Sequence, residues 1–357
     1  MSNTIIFNNR HSGISIIICC YNSVKKLPQT IQHIGLQKVA KGVKWEIIVI
    51  DNASKDNTSE LAQKVCDEYL VDIPFKIVYE SNPGLSNARK RGIGEAQFEF
   101  LLFCDDDNWL FPDYVQLSFD IMINDHSIGV LGGQSIGEYE TTPPGWFLQN
   151  IRSFAIGKQN DSSGDVTYKG GAVWGAGFVV RKSVFKILDG FGFDFILTDR
   201  KGDSLSSGGD RELCLIVKNL KYKIYYDENL VLKHFMPSTR FNYTSFLNLS
   251  YQNGKSSFVN DVYNGRAGIF EFYFLINLFI TSSKLIVVIF LRLFCKLTNN
   301  FSSVKYISDR RYFYFLGRLQ TIFKFNYCKG ILNKVSILNN KIHDSFTEIK
   351  LAEYTET

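Results

Sequence analysis

The N-terminal part of this 357-residue sequence predicts an α/β fold: a mainly parallel central sheet flanked by helices. Three observations predict it. Short runs are apolar throughout, as in strands buried on both faces. Segments of helical spacing separate those runs, giving the alternation of βαβ units. Acidic residues close two of the runs, at the strand ends where open α/β sheets place their ligands.

The elements follow in order. Ile14–Cys20 (ISIIICC) reads as the first strand and Leu27–Val39 as a helix, with Pro28 tolerable in its first turn. Glu46–Ile50 is a second strand ending at Asp51, and Thr58–Leu70 a helix entered from the polar turn 54–57. Phe75–Tyr79, Ser86–Ala96 and Phe98–Cys104 continue as strand, helix and strand, the last delivering Asp105, Asp106 and Asp107. From about Gly132, frequent Gly, Pro and Ser predict loops and short antiparallel strands. A strand and short helix follow from Gly175, then a helix from Asp210 to about Leu220. Two strands, near Lys223–Tyr226 and Leu230–His234, close a catalytic domain expected to occupy residues 1–240.

Composition limits the function classes. Hydrophobic residues at 45% and charged residues at 21% exclude a largely disordered chain. Seven cysteines without CxxC spacing argue against structural zinc and against a disulfide framework. A net charge of +5 is too small to imply a nucleic-acid partner. The N-terminus has no basic start followed by an apolar stretch, so a cytoplasmic location is expected.

Residues 241–357 read as a helical, basic and aromatic extension. Thirteen Lys and Arg stand against three acids between Arg240 and Lys334. Within it Phe272–Leu291 carries only Lys284 and is long enough to span a bilayer, but the Thr281–Lys284 interruption divides it into two apolar helical pieces. Flanking Arg292, Lys296, Arg310, Arg311, Arg318 and Lys324 suit an interfacial helix on anionic lipid, peripheral on the inner face of the cytoplasmic membrane. A helical lid or a homodimer contact is the alternative.

Three adjacent carboxylates repel one another in a partly dry site. A Mg²⁺ or Mn²⁺ ion at Asp105–Asp107 would relieve that repulsion and bridge to substrate phosphates. The alternative, a solvated acidic turn, fits poorly between the apolar Phe98–Cys104 and Trp109–Pro112. Asp210 opens a helix after a Gly- and Ser-rich loop, a place where Asp also serves as a cap.

In this order, over about residues 12–240, the segments resemble the nucleotide-diphospho-sugar transferases of glycosyltransferase family 2, which have the GT-A fold. The resemblance implies that Tyr21 of IIICCYN packs on the base and that Asp51 of EIIVIDNAS contacts base or ribose. It places Asn82 and Arg89 of NPGLSNAR along the base pocket and the Asp triplet where the family binds ribose and metal, with Asp107 on the metal and the nucleotide-binding Asp105 and Asp106 beside it. His234 would approach the metal or diphosphate, its alternative being a structural role; Arg200 and Lys201, in the loop before Asp210, would grip the diphosphate or merely solvate that loop. Trp174, Gly175 and Ala176 would border the sugar and acceptor pocket, and Glu212 would orient substrate or cap the first turn of the helix that Asp210 opens. Asp210 of GGDREL would be the general base, although Gly209 stands where the family usually has Glu.

What the resemblance implies is a metal-assisted, inverting, non-processive sugar transfer. The donor would be a nucleotide sugar, a UDP-sugar by family habit, and the acceptor a glycan or lipid-linked hydroxyl in bacterial surface polysaccharide assembly. A sugar-phosphate nucleotidyltransferase would carry a glycine in the loop at Cys19–Ser23, and a processive synthase would carry Q-x-x-R-W. A catalytically silent glycan-binding or scaffold protein is the reading that Gly209 leaves open.

Overall fold

The structure, a computed structural model, describes residues 12–197, 208–265, 270–298 and 302–355. The first strands and helices are β1 (Ile14–Cys20), α1 (Leu27–Gly35), β2 (Trp45–Asp51), α2 (Thr58–Tyr69), β3 (Phe75–Tyr79), α3 (Leu85–Glu95) and β4 (Phe100–Asp105). Next come β5 (Asn108–Leu110), α4 (Tyr114–Asn124), β6 (Ile128–Tyr139), α5 (Gly145–Leu148), β7 (Gly164–Asp165), β8 (Val179–Arg181) and α6 (Lys182–Gly190). Then follow α7 (Gly209–Asn219), β9 (Lys223–Met236), α8 (Tyr243–Tyr263), α9 (Phe270–Thr298), α10 (Ser302–Ile322) and α11 (Phe325–Thr355).

The chain divides into two compact units. One takes in residues up to Thr142, Ile151–Ile187 and Tyr222–Ser238; the other takes Pro143–Asn150, Leu188–Lys221 and Thr239 onward. The second unit therefore includes α7, which the expected boundary at residue 240 assigned to the catalytic domain.

The first unit is a nine-stranded sheet of order β3-β2-β1-β4-β8-β6-β9-β5, with β7 on β9. β3, β2, β1 and β4 are parallel to one another. β6 and β9 are also parallel, while β8 runs antiparallel to both β4 and β6, so the mainly parallel sheet is mixed. The parallel half forms where the apolar runs predict it: Ile14, Ile16, Ile17 and Ile18 of β1 are at most 1% exposed. Burying each such side chain contributes about 1.5–3 kcal/mol.

The later strands differ more from expectation. Lys223–Met236 is one fourteen-residue strand, because it runs alongside the twelve-residue β6 instead of turning at Asp227–Asn229. The pairing of β6 with β9 slips between Gly132 and Gln134, which absorbs the irregular stretch within continuous strands. Arg181 on β8 is fully buried, and its guanidinium donates to the carbonyls of Ile128, Met122 and Asp125, fastening the end of α4 to the sheet.

The second unit is helical. α9 is continuous through Thr281–Lys284, where two separate pieces were expected. The polar residues do not break it because they have partners: Ser283 bonds back to the Phe279 carbonyl at 2.8 Å, and Thr281 is buried and accepts from Arg318 Nε at 3.2 Å. Arg318 of α10 also donates to Ser257 and Asp261 of α8 and to Asn277 of α9, tying three helices through one guanidinium. Arg292 pairs with Asp309 at 2.7 Å and lies 4.1 Å over the Tyr312 ring. These two arginines, expected on a lipid surface, are thus engaged inside the helical unit.

Candidate active site

Register assembles the first part of the site. In the parallel ladders Cys20 pairs with Asp51 and Cys19 with Asp105, so both acids lie at the same edge beside the end of β1. Tyr21 follows directly and is 39% exposed. Asp51 is buried, accepting the Ser54 N–H at 3.0 Å and the Ser59 hydroxyl, which fixes the entry to α2.

Asn52, which sequence reasoning passed over, stitches the next loop in place. Its amide donates to the Asn82 carbonyl and its oxygen accepts the Gly84 N–H, each at 2.7 Å. Asn82 itself is exposed and donates its amide to Glu80 at 2.9 Å. Arg89, on α3, rests its guanidinium 5.7 and 5.5 Å from the rings of Phe103 and Phe178, within cation–π range.

Asp106 and Asp107 form the turn between β4 and β5, where their side chains diverge. Asp106 is 7% exposed and bonded to Lys26 Nζ at 2.6 Å and to the Ser23 hydroxyl. Burial pushes its carboxyl up from the ordinary range, Lys26 opposes this, and the Asp107 charge adds to it. Asp106, expected among the nucleotide-binding residues, is turned inward to Ser23 and Lys26 instead. Lys26 is the cation that the carboxylate triplet already contains, and a lysine six residues past the end of β1 was its signal in the sequence.

Asp107 is 3% exposed, and its Oδ1 lies 3.5 Å from His234 Nε2 and 3.3 Å from Asn108 Nδ2. The antiparallel pairing of Asn108 with His234 brings the two together, and the Phe235 N–H donates to the Asp107 carbonyl at 2.9 Å. His234 Nδ1 is buried and has no hydrogen-bond partner among the described residues. No cluster of three or more potential metal ligands occurs among the described residues. The Asp107–His234 pair nevertheless suits a cation held jointly with substrate phosphates, for which one or two protein ligands suffice.

Trp174–Gly177 form a turn before β8 rather than a strand. The Trp174 N–H is held by Gln159 at 2.6 Å, and Arg152 lies 5.8 Å from the Trp174 ring centre. Gly175 is buried and Ala176 half-buried. The position that demands glycine is Gly177, at φ +74°, where a Cβ would sit 2.5 Å from Leu232 and 2.7 Å from the Tyr114 hydroxyl.

In the second unit Asp210 occupies the first turn of α7, half-buried, with its Oδ1 accepting the Arg211 N–H at 2.8 Å. The cap position belongs to Gly208, so Asp210 is not the N-cap. Glu212 is fully buried and accepts from the amides of Ile196 and Leu197 at 2.9 and 2.7 Å and from the Tyr263 hydroxyl at 2.6 Å. That set of donors makes it an anchor of the fold instead of a substrate contact. Arg200 and Lys201 lie outside the described residues.

The sequence model described as Glycosyl transferase family 2 matches residues 15–188. Residues 15–188 belong to glycosyl transferase family 2. They contain β1 to β8, with Tyr21, Asp51 and the Asp105–Asp107 turn, in the mixed sheet of a GT-A-type fold. A cholesterol galactosyltransferase of Borreliella burgdorferi is 36% identical over 95 residues, 27% of this chain and 25% of that protein. A poly-β-1,6-N-acetyl-D-glucosamine synthase of Staphylococcus aureus is 28% identical over 121 residues, 34% of this chain and 28% of that protein. The chain thus spans only about a quarter of the length of these family 2 relatives. Among solved structures, S. aureus TarS 1–349 in complex with UDP-GlcNAc aligns with 94% of this chain and 92% of that one, at 14% identity and a TM-score of 0.47.

Proposed function

We propose that this chain transfers a sugar from a nucleotide-diphosphate donor, a UDP-sugar, to a hydroxyl of a glycan or lipid-linked acceptor during bacterial surface polysaccharide assembly. One observation carries the reading: in a family 2 domain, strand-end Asp51 and Asp105 share an edge with Tyr21, and Asp107 stands beside a buried His234 with an unpartnered nitrogen. Relatives named for galactosyl transfer to cholesterol and for poly-N-acetylglucosamine synthesis fit both acceptor classes.

In this reading Tyr21, Asp51 and Asp105 bind the nucleoside, with Asn82 and Arg89 at its border. Asp107 and His234 would hold a Mn²⁺ or Mg²⁺ ion, whose contribution would be to offset negative charge on the diphosphate leaving group. Asp210 takes the acceptor proton as the hydroxyl attacks the anomeric carbon from the opposite face, so a single displacement inverts that carbon. Such general-base help is worth about 10²–10⁴-fold.

The protein sits peripherally on the inner face of the cytoplasmic membrane. Phe272–Leu297 is long and apolar enough to cross a bilayer, and most of its apolar side chains, Phe279 and Phe290 among them, are exposed. It lies in the surface, because Asn277 and Thr281 fasten it to Arg318 and Arg292 fastens it to Asp309, charges that a spanning helix would carry into the hydrocarbon.

The test is release of UDP from a panel of UDP-sugars, with and without Mn²⁺. Metal-dependent release is expected; Asp210→Asn keeps UDP binding and loses about 10²-fold or more of turnover. Full turnover in Asp210→Asn overturns the base assignment, and no nucleotide binding at all overturns the transferase reading.

A further inference from the structure

The three carboxylates of the Asp105–Asp107 turn are not equivalent. Asp106 takes the Lys26 ammonium at 2.6 Å, the Ser23 hydroxyl, and the support of Thr30, whose hydroxyl donates to the Asp106 carbonyl at 2.8 Å. Lys26 also stands 4.0 Å from Asp107 Oδ2. Its side chain is three-quarters buried, at 25% exposed, so the attraction acts in a medium where charges are weakly screened. Ser23 is fixed in turn: its N–H donates to Thr58 at 2.9 Å and its carbonyl accepts from the amides of Lys26 and Leu27. Lys26 therefore approaches the turn from the start of α1 along a backbone that has little freedom.

We propose that Lys26 is a positioning residue: by balancing and orienting Asp106 it leaves Asp107 alone to face the metal and diphosphate. Two adjacent buried carboxylates with no cation between them repel, and neither keeps one orientation. With Lys26 present, Asp106 points inward to Ser23 while Asp107 points to His234. The inference rests on the transferase reading, and it goes beyond that reading in making a residue outside the family motifs set the geometry of one inside them.

The experiment is calorimetric binding of UDP, with and without Mn²⁺, to the full chain and to Lys26→Met, Lys26→Arg, Asp106→Asn and the Lys26→Met/Asp106→Asn pair. Lys26→Met is expected to weaken Mn²⁺-dependent UDP binding by about tenfold or more. Lys26→Arg keeps the charge and is expected to hold most of the affinity. The double variant, whose neutral amide at position 106 needs no counter-charge, is expected to recover binding to within about threefold of the parent. It also keeps the test open if Lys26→Met alone does not fold. Unchanged Mn²⁺–UDP affinity in a folded Lys26→Met overturns the proposal. So does a double variant no better than Lys26→Met, since Lys26 would then act on the nucleotide directly. A parent chain that binds no UDP overturns the transferase reading and the positioning role together, a result distinct from the other two.

Discussion

The Tyr263 hydroxyl on α8 donates to Glu212 on α7 at 2.6 Å, two residues along the helix from Asp210. With the amides of Ile196 and Leu197, it makes the carboxylate a fixed point for the start of α7. Glu212→Ala leaves these donors without their acceptor and is expected to cost about 3 kcal/mol or more of stability. Tyr263→Phe removes one donor and costs about 1–2 kcal/mol. Urea midpoints of the two variants give the comparison; equal, negligible losses would show that Glu212 is no anchor.

Backbone meets backbone where α8 crosses α10. A Cβ on Gly254 would lie 1.9 Å from the Tyr314 carbonyl oxygen, and one on Gly317 would lie 2.0 Å from that of Tyr251. Neither carbonyl has a flexible side-chain end to yield, so Gly254→Ala and Gly317→Ala each force the helices apart. Each is expected to destabilise by about 1–3 kcal/mol or more, and the double variant by less than the sum, because one separation admits both methyls. Thermal melts of the three variants test this; a strictly additive pair would speak against a shared crossing.

The thiols predict an alkaline limit. Burial pushes Cys66 from 9.0 to about 12, and Cys20 and Cys104 are also raised, by burial first. An acid held protonated in the fold contributes stability that is present below its unfolded value near 9 and is lost as pH rises towards the folded value. Urea midpoints should therefore fall between about pH 9 and 12. Maleimide at neutral pH should modify the half-buried Cys19 and Cys295 quickly and the five buried thiols only on unfolding. Rapid labelling of Cys66 in the native chain would contradict its burial.

On α9, Phe279 is 74% exposed and Phe290 67%, so Phe279→Glu/Phe290→Glu removes apolar surface without disturbing the packed face. Vesicle flotation should fall by about tenfold or more with an unchanged helical spectrum. Flotation that survives both changes would point to a different lipid contact.

Most of the parallel half-sheet could be read from its residues. β1, apolar but for Ser15, and β4, apolar up to Asp105, have one stable solution, central strands covered on both faces, and Asp51 and Asp105 mark the ends of β2 and β4. β6 and β9 were not legible in the same way. Polar Asp227–Asn229 and the glycines at 132–133 signal turns locally, yet pairing across the whole of both strands carries the chain through them. In the site, composition identified the carboxylate triplet but not its internal division. That depends on Lys26, 80 residues from Asp106 in sequence, and adjacency of that kind comes only from the crossover. Likewise Arg292 and Arg318 look like surface charge until the helices bring Asp309 and Asp261 to them.

The placement of α7 has a practical outcome for anyone dissecting the protein. A cut after β9 would seem to separate an enzyme from its anchor. Because Glu212 and Tyr263 join α7 to α8, such a cut would strip the helix bearing Asp210 of its neighbours and expose an apolar surface of its own. Loss of activity in that fragment would say nothing about lipid. The C-terminal helices are better regarded as the wall against which the proposed base is built, and attachment to a membrane should be altered by point changes on the outer side of α9.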